Sequence, residues 1–194
     1  MFEIEFKFRV KDKERIDNEL KKLDCKFSEL HQCDHIYVKN GINDFNIPSG
    51  ENVLRIREQN GVNYITLKQR LNHLEYETVV EDSNVINNIF IALGYHKLVE
   101  VDKYRKETSI KGFNITVDEV DRLGCFVEIE KLTENEDDIE NIKNEIMNFA
   151  SELGFTQDDI EKEKYDTMIL DLEKYSNNLI INKVICWFVR NSVI

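Results

Sequence analysis

From Phe2 to Val10 the chain alternates strictly, Phe2, Ile4, Phe6, Phe8 and Val10 against Glu3, Glu5, Lys7 and Arg9. Successive strand side chains point to opposite sides, so this is a strand with one apolar face and one fully charged face. At Asp12 the period changes, and Ile16, Leu20 and Leu23 mark one face of a helix. A short strand is expected at Asp34–Lys39, followed by a loop, Asn40–Asn52, with the only proline and two glycines. That loop is the best candidate for a mobile flap, against the plainer reading of an ordinary surface loop.

Three alternating runs follow, Val53–Gln59, Val62–Arg70 and His73–Glu81. Asn60-Gly61 between the first two is the strongest hairpin signal in the chain. Ser83 to Gly94 predicts a helix with Ser83 as N-cap and Gly94 as the stop. Strands are expected at 98–110, 113–120 and 125–132, with turns at Lys111-Gly112 and at Arg122–Gly124. Ile139, Ile142, Ile146, Phe149 and Leu153 define an amphipathic helix closed by Gly154, and the acidic run Thr133–Glu140 suits its N-terminus. A last helix is expected from Thr156, with Asp159 at the capping-box position, to about Tyr175. The pattern thus predicts eight strands and four helices in one domain over 1–175, leaving 176–194 as a tail or short helix.

Hairpin register turns the alternation into a constellation. A two-residue turn at Asn60-Gly61 sets Arg55 opposite Thr66, with Arg57 and Lys68 on the same face. A turn at Leu71-Asn72 sets Lys68 opposite Glu75, with Glu77 one step along. Lys111-Gly112 places Arg105 across from Asp118, and a three-residue Arg122–Gly124 loop places Asp118 across from Glu128, with Glu130 beyond. The reverse face carries Leu54, Ile56, Ile65, Leu67, Leu74, Tyr76, Phe113, Ile115, Val117, Val127 and Ile129, which the helices must cover. The plain alternative is an open sheet with its charged face in water. Eight strands are also enough to close into an antiparallel barrel with helices packed outside, an α+β fold whose charged face lines a tunnel.

Composition narrows the function. A net charge of −12 argues against a general nucleic-acid binder. The longest apolar stretch, Leu179 to Val189, contains Asn182 and Lys183 and is too short for a span of about 20 residues. Charges from residue 3 leave no signal peptide, and Cys25, Cys33, Cys125 and Cys186 have no metal-ligand spacing, so a cytoplasmic protein with reduced thiols is expected. Clustered Lys and Arg match a triphosphate, and clustered carboxylates match Mg²⁺ or Mn²⁺, hard ions that bridge phosphates. For any single couple, such as Arg105 with Asp118, simple mutual pairing explains the charges equally well.

The ordered motifs resemble a known family. Glu3-x-Glu5-x-Lys7 resembles the ExExK signature of the CYTH superfamily, the triphosphate tunnel enzymes. The resemblance continues through Asp34-x-x-Tyr37, Leu54-Arg55-Ile56-Arg57, Thr66-Leu67-Lys68, Glu75-x-Glu77, Leu93-Gly94-Tyr95, Lys103-x-Arg105 and Ile115-Thr116-Val117-Asp118. It ends with Leu123-Gly124-x-Phe126-Val127-Glu128-Ile129-Glu130 and covers about residues 1–170. The spacing is most similar to the CyaB-like class IV adenylyl cyclases. That resemblance implies an eight-stranded tunnel, a divalent metal and conversion of ATP to cyclic AMP and pyrophosphate. It further implies that Lys7, Arg55, Arg57, Lys68, Lys103 and Arg105 bind the triphosphate, and that Glu3, Glu5, Asp118, Glu128 and Glu130 hold metal, with Glu75 and Glu77 as additional candidates. Glu5, Lys7, Lys103 and Arg105 would be the catalytic set. A triphosphatase acting on inorganic, thiamine or nucleoside triphosphate is the alternative, and a non-catalytic polyphosphate-binding module a third. No nucleic-acid or membrane partner is implied, and a homodimer is compatible. Three positions depart from the family pattern: Gln69-Arg70 after Lys68, Thr108 after Lys103-x-Arg105, and Val38-Lys39 after Tyr37.

Overall fold

The computed structural model describes residues 2–23, 26–69 and 74–176. In chain order the elements are β1 (Phe2–Arg9), α1 (Lys13–Lys22), β2 (Ser28–Lys39), β3 (Asn52–Gln59), β4 (Val62–Gln69), β5 (Leu74–Val80), α2 (Ser83–Ala92), β6 (Tyr95–Ile110), β7 (Phe113–Val120), β8 (Gly124–Thr133) and α3 (Ile139–Glu152). Residues 165–176 form a further helix, α4. The fold is α+β, an eight-stranded antiparallel sheet with four helices, in the order β1-β8-β7-β6-β2-β3-β4-β5. Closure into a barrel would need a ladder between the end strands β1 and β5. The order is open at both, so the expected closed barrel is not found among the described residues. No helix of the described residues is long and apolar enough to cross a membrane.

The chain divides into two compact units. The first gathers the residues up to Cys33, Glu58–Val62 and Asp102–Glu163; the second gathers Asp34–Arg57, Asn63–Val101 and the chain from Lys164. In the first, α1 and α3 cover the apolar face of β1, β8 and β7. Ile16 and Leu20 of α1 and Ile142, Ile146 and Phe149 of α3 pack with Ile4, Phe8, Phe113, Ile115, Val117, Val127 and Ile129. Phe8 stacks on Phe155 and Phe113 on Phe149, each pair 4.9 Å apart. In the second, α2 covers β3 and β4 through Phe90 and Ile86, packed with Tyr37, Leu54, Ile56, Ile65 and Leu67.

The turn chemistry follows from the backbone each residue tolerates. Asn60-Gly61 and Lys111-Gly112 have φ values of 47°, 81°, 51° and 80°, the consecutive positive pair of a type I′ hairpin turn. Asp12 caps α1 by accepting from the Arg15 amide at 3.0 Å. α2 is capped one residue earlier than expected. Asp82, in extended backbone, accepts from the Asn84 and Val85 amides, and Ser83 is already helical.

Other boundaries also moved. β2 starts at Ser28, not Asp34, because pairing extends a polar run that lacks clean alternation. The Thr156/Asp159 capping box is real but closes only the 3-10 turn Gln157–Asp159. Ile160 then bridges to Phe8, so the last helix begins at 165. The Asn40–Asn52 loop is tied down by a buried Ile47, a Lys39–Glu51 ion pair at 3.2 Å and the Asn40 amide on the Gly94 carbonyl at 2.8 Å. Leu74 and Tyr76 are 44% and 60% exposed, so among the described residues β5 lacks the helical cover expected for its apolar side. The ten-residue α2 packs on β3 and β4 and stops there. The Leu71-Asn72 turn and the 177–194 tail lie outside the described residues.

Ile146 is fully buried where α3 meets the sheet of the first unit. Ile146→Ala should therefore cost about 2–5 kcal/mol, read as a lower midpoint in urea denaturation at unchanged slope. A loss under about 1 kcal/mol would contradict this packing.

Candidate active site

In the first unit the registers lay the charged face out in three rows across β1, β8, β7 and β6. Arg9, Phe126, Asp118 and Arg105 form one row. Lys7, Glu128, Thr116 and Glu107 form the next, and Glu5, Glu130, Asn114 and Ser109 the third. Arg105 faces Asp118 as expected, but Asp118 lies opposite Phe126, and Glu128 lies opposite Thr116. The loop is 121–123, closed by the Leu123 amide on the Val120 carbonyl at 3.1 Å, with positive φ at Arg122 and Gly124. Gly124 belongs to β8, not to the turn. The register therefore shifts by two residues, and a shift of two keeps Asp118 and Glu128 on one face.

Asp118 is completely buried and holds two cations. Arg105 donates from Nε to Oδ1 at 2.6 Å and from Nη2 to Oδ2 at 2.5 Å, while Lys103 Nζ reaches Oδ2 at 3.0 Å. The same Arg105 Nη2 also donates to Glu128 Oε2 at 2.9 Å, and Nη1 lies 3.7 Å from Glu107. Burial pushes the Asp118 carboxyl up, but Arg105 and Lys103 outweigh it and hold it below the ordinary carboxylate value. Lys103 is also buried; burial and the neighbouring guanidinium pull its ammonium down against the attraction of Asp118. Lys7 donates to the Glu163 carbonyl, and Arg9 pairs with Glu161 at 2.9 Å while covering the Phe126 ring.

On β1 and β8 one pair of carboxylates faces across the ladder, while Glu128 lies opposite Lys7 and Glu3 opposite Leu132. Glu5 sits directly opposite Glu130. Glu5 is an exposed residue, and its pKa is raised from 4.5 to about 7, first by desolvation of the carboxyl, then by Glu128 and Glu3, with Lys7 opposing and Glu130 adding. Glu130 is raised too, by burial and Glu3, against a hydrogen bond from Asn114. Carboxylates crowded enough to resist ionisation, with oxygen donors alone, fit a hard divalent cation such as Mg²⁺ or Mn²⁺. Glu3, Glu5, Glu128 and Glu130 are the residues on this face that would hold it, and they would have to draw together to do so, because no three of them bring donor atoms within 4.8 Å of one another. Asp118 differs from this group in having both oxygens bonded to cations.

The second unit has its own charged face. Arg57 grips Asp34 through two bonds of 2.6 and 2.7 Å. Arg55 donates to Thr66 at 3.0 Å, Glu77 at 2.9 Å and Glu75 at 3.3 Å, and Thr66 donates to Glu77 at 2.8 Å. Lys68 faces Glu75 in the ladder and pairs with it at 3.0 Å. Glu75 and Glu77 thus act here as partners of cations. The roles of Asp34, Thr66, Glu107 and Asn114 were missed from the sequence. The alternation could have found Glu107, two places beyond Arg105, and Asn114, across from Ser109.

The sequence matches the CYTH domain model over residues 1–165, and the chain belongs to that family. A Methanocaldococcus jannaschii protein named as a candidate adenylate cyclase is 29% identical over 171 residues, covering 85% of this chain and 97% of the relative. Adenylate cyclase CyaB of Aeromonas hydrophila is 21% identical over 168 residues, covering 86% and 88%. Among solved structures, the Pyrococcus horikoshii PH1012 protein is 30% identical with a TM-score of 0.67, covering 84% and 97%. An adenylyl-cyclase-like protein of Hippeastrum, described as having a dominant triphosphatase activity, shares the fold at 17% identity and a TM-score of 0.58, covering 87% and 94%.

The raised pKa of Glu5 fixes a pH dependence. Between about pH 4.5 and 7 the folded state holds a proton that the unfolded chain has released. Metal-free protein should therefore lose stability as pH rises through that window. Glu5→Gln should flatten the decline, and so should saturating Mg²⁺. Denaturation midpoints across the window check this; an equally steep fall in Glu5→Gln would remove Glu5 as its source.

Proposed function

We propose that the chain is a divalent-metal-dependent enzyme acting on a triphosphate, converting ATP to cyclic AMP and pyrophosphate. The observation that carries this reading is the pair of cations, buried Lys103 and part-buried Arg105, pinned by buried Asp118 on the same face as the carboxylates Glu3, Glu5, Glu128 and Glu130. A phosphate chain neutralised by metal needs both kinds of group, oxygen donors for the ion and fixed cations for the phosphoryl oxygens. In the first unit Lys7, Lys103 and Arg105 are assigned to the triphosphate; in the second, Arg55, Arg57 and Lys68 form their own cationic set suited to phosphate oxygens. Glu3, Glu5, Glu128 and Glu130 are assigned to the metal, and Asp118 is reassigned from ligand to anchor of the cations. Glu75 and Glu77 are assigned to orienting Arg55 and Lys68.

In the cyclisation, the ribose 3′-oxygen bonds to the α-phosphorus as the bond to the bridging α,β-oxygen breaks. Pyrophosphate leaves with that electron pair, and the hydroxyl proton passes to solvent. Lys103 and Arg105, already oriented, stabilise the charge gathering on the leaving group without reorganising. A bound divalent ion would lower the pKa of the attacking hydroxyl.

A second reading is favoured by one feature. The cations and crowded carboxylates of these rows address phosphate and metal without requiring a nucleoside, so water can replace the ribose hydroxyl as nucleophile. Inorganic, thiamine or nucleoside triphosphate would then be hydrolysed at the terminal phosphate, and a triphosphatase activity is stated for the Hippeastrum protein of this fold.

Incubation with ATP, inorganic triphosphate and thiamine triphosphate, each with Mg²⁺ or Mn²⁺, separates the readings. Cyclic AMP with equimolar pyrophosphate is the expected product pattern. Orthophosphate without cyclic AMP would transfer the assignment to the triphosphatase. Glu5→Gln should lower metal-dependent turnover at least a hundredfold, and full retention would overturn its metal role.

A further inference from the structure

Beside Arg105, within the first unit, lies a cleft of about 390 Å³, the size range of small-ligand sites. Arg105 and Glu130 stand at its charged end. Glu107, Ser109, Asn114 and Thr116 continue the same rows of the sheet beyond them. The chemistry is therefore graded along one face, from cations and metal-type carboxylates to hydroxyls and an amide. The neutral end is preorganised: Ser109 Oγ donates to Asn114 Oδ1 at 2.7 Å, and Asn114 Nδ2 points to Glu130 Oε1 at 3.5 Å.

The lining decides what the cleft can hold. None of its described residues is aromatic, so a nucleobase would gain no stacking there. A further phosphate would meet the repelling carboxylates Glu107 and Glu130, while Arg105, the one cation in the described lining, is already bonded to Asp118 and Glu128. Neighbouring hydroxyl groups fit instead, because Ser109, Asn114 and Thr116 both donate and accept while Glu107 accepts.

Resting on the triphosphate reading above, we propose that this cleft seats the hydroxyl-bearing sugar of a nucleoside triphosphate, with Ser109, Asn114 and Glu107 binding the ribose hydroxyls. Its occupancy would make the enzyme select a ribonucleoside triphosphate over inorganic triphosphate, and would bring the sugar hydroxyls close to the Glu130 carboxylate.

The test is a thermodynamic cycle. Calorimetric titration with Ca²⁺ as the divalent ion compares ATP, 2′,3′-dideoxy-ATP and inorganic triphosphate on the native protein and on a Ser109→Ala/Asn114→Ala double variant. The native protein should bind ATP at least tenfold more tightly than the dideoxy analogue. In the double variant that gap should narrow to about threefold or less, because Glu107 alone of the three hydroxyl partners remains. A gap that is absent in the native protein, or that survives intact in the variant, overturns the sugar site while inorganic triphosphate binding still upholds the triphosphate reading. Failure of the native protein to bind any of the three ligands overturns both. Inorganic triphosphate also reports whether the variant is folded, and the comparison rests on the ATP to dideoxy-ATP ratio within each protein.

Discussion

A single buried carboxylate organises the first unit's charged face. Asp118, with no exposure, receives two bonds from Arg105 and one from Lys103. An isolated charge in that position would be expelled or neutralised. Here burial is offset by two cations, and they in turn are held by the carboxylate. Removing one member of such a group costs about 3–5 kcal/mol, because its partners stay buried without compensation. The value of the arrangement is orientation: a guanidinium fixed by two bonds presents its charge in one direction instead of sampling rotamers.

The acidic row has the opposite character. Glu5 and Glu130 face each other across the β1–β8 ladder, and both are harder to ionise than ordinary carboxyls. Directly opposed like charges destabilise a sheet, so the row holds a strain that a divalent cation would relieve. One face thus combines cations fixed by a buried carboxylate with an opposed pair of carboxylates, Glu5 and Glu130, spaced by the pleat. The second unit lacks this contrast, since Arg55, Arg57 and Lys68 are each paired locally with Glu77, Asp34 and Glu75.

Much of this was legible in the alternation of charged and apolar positions. Glycine-containing turns at 60–61 and 111–112 fixed two registers, because few residues other than Gly and Asn accept consecutive positive φ. The β7–β8 register was misread by two, since Gly124 was assigned to the turn when the left-handed turn position fell to Arg122. The error moved Asp118 from Glu128 to Phe126 but left the face intact. The start of the last helix was misplaced because the box at Thr156 caps a single 3-10 turn. Barrel closure was not legible at all: it depends on a ladder between strands far apart in sequence, and alternation within each strand carries no information about it. Burial by partners explains the remaining gap, since nothing local marks Asp118 as an anchor and Glu5 as a crowded acid.

The central claim is that the carboxylate row and the anchored cations form one site for a metal-bound triphosphate. Binding of Mn²⁺ and of triphosphate must then be coupled, each tightening the other by the same factor. An electron paramagnetic resonance titration of Mn²⁺, with and without inorganic triphosphate, measures that factor directly. The account predicts at least tenfold tighter Mn²⁺ binding in the presence of triphosphate, and loss of the enhancement in Asp118→Asn. Mn²⁺ affinity indifferent to triphosphate in the native protein would contradict it.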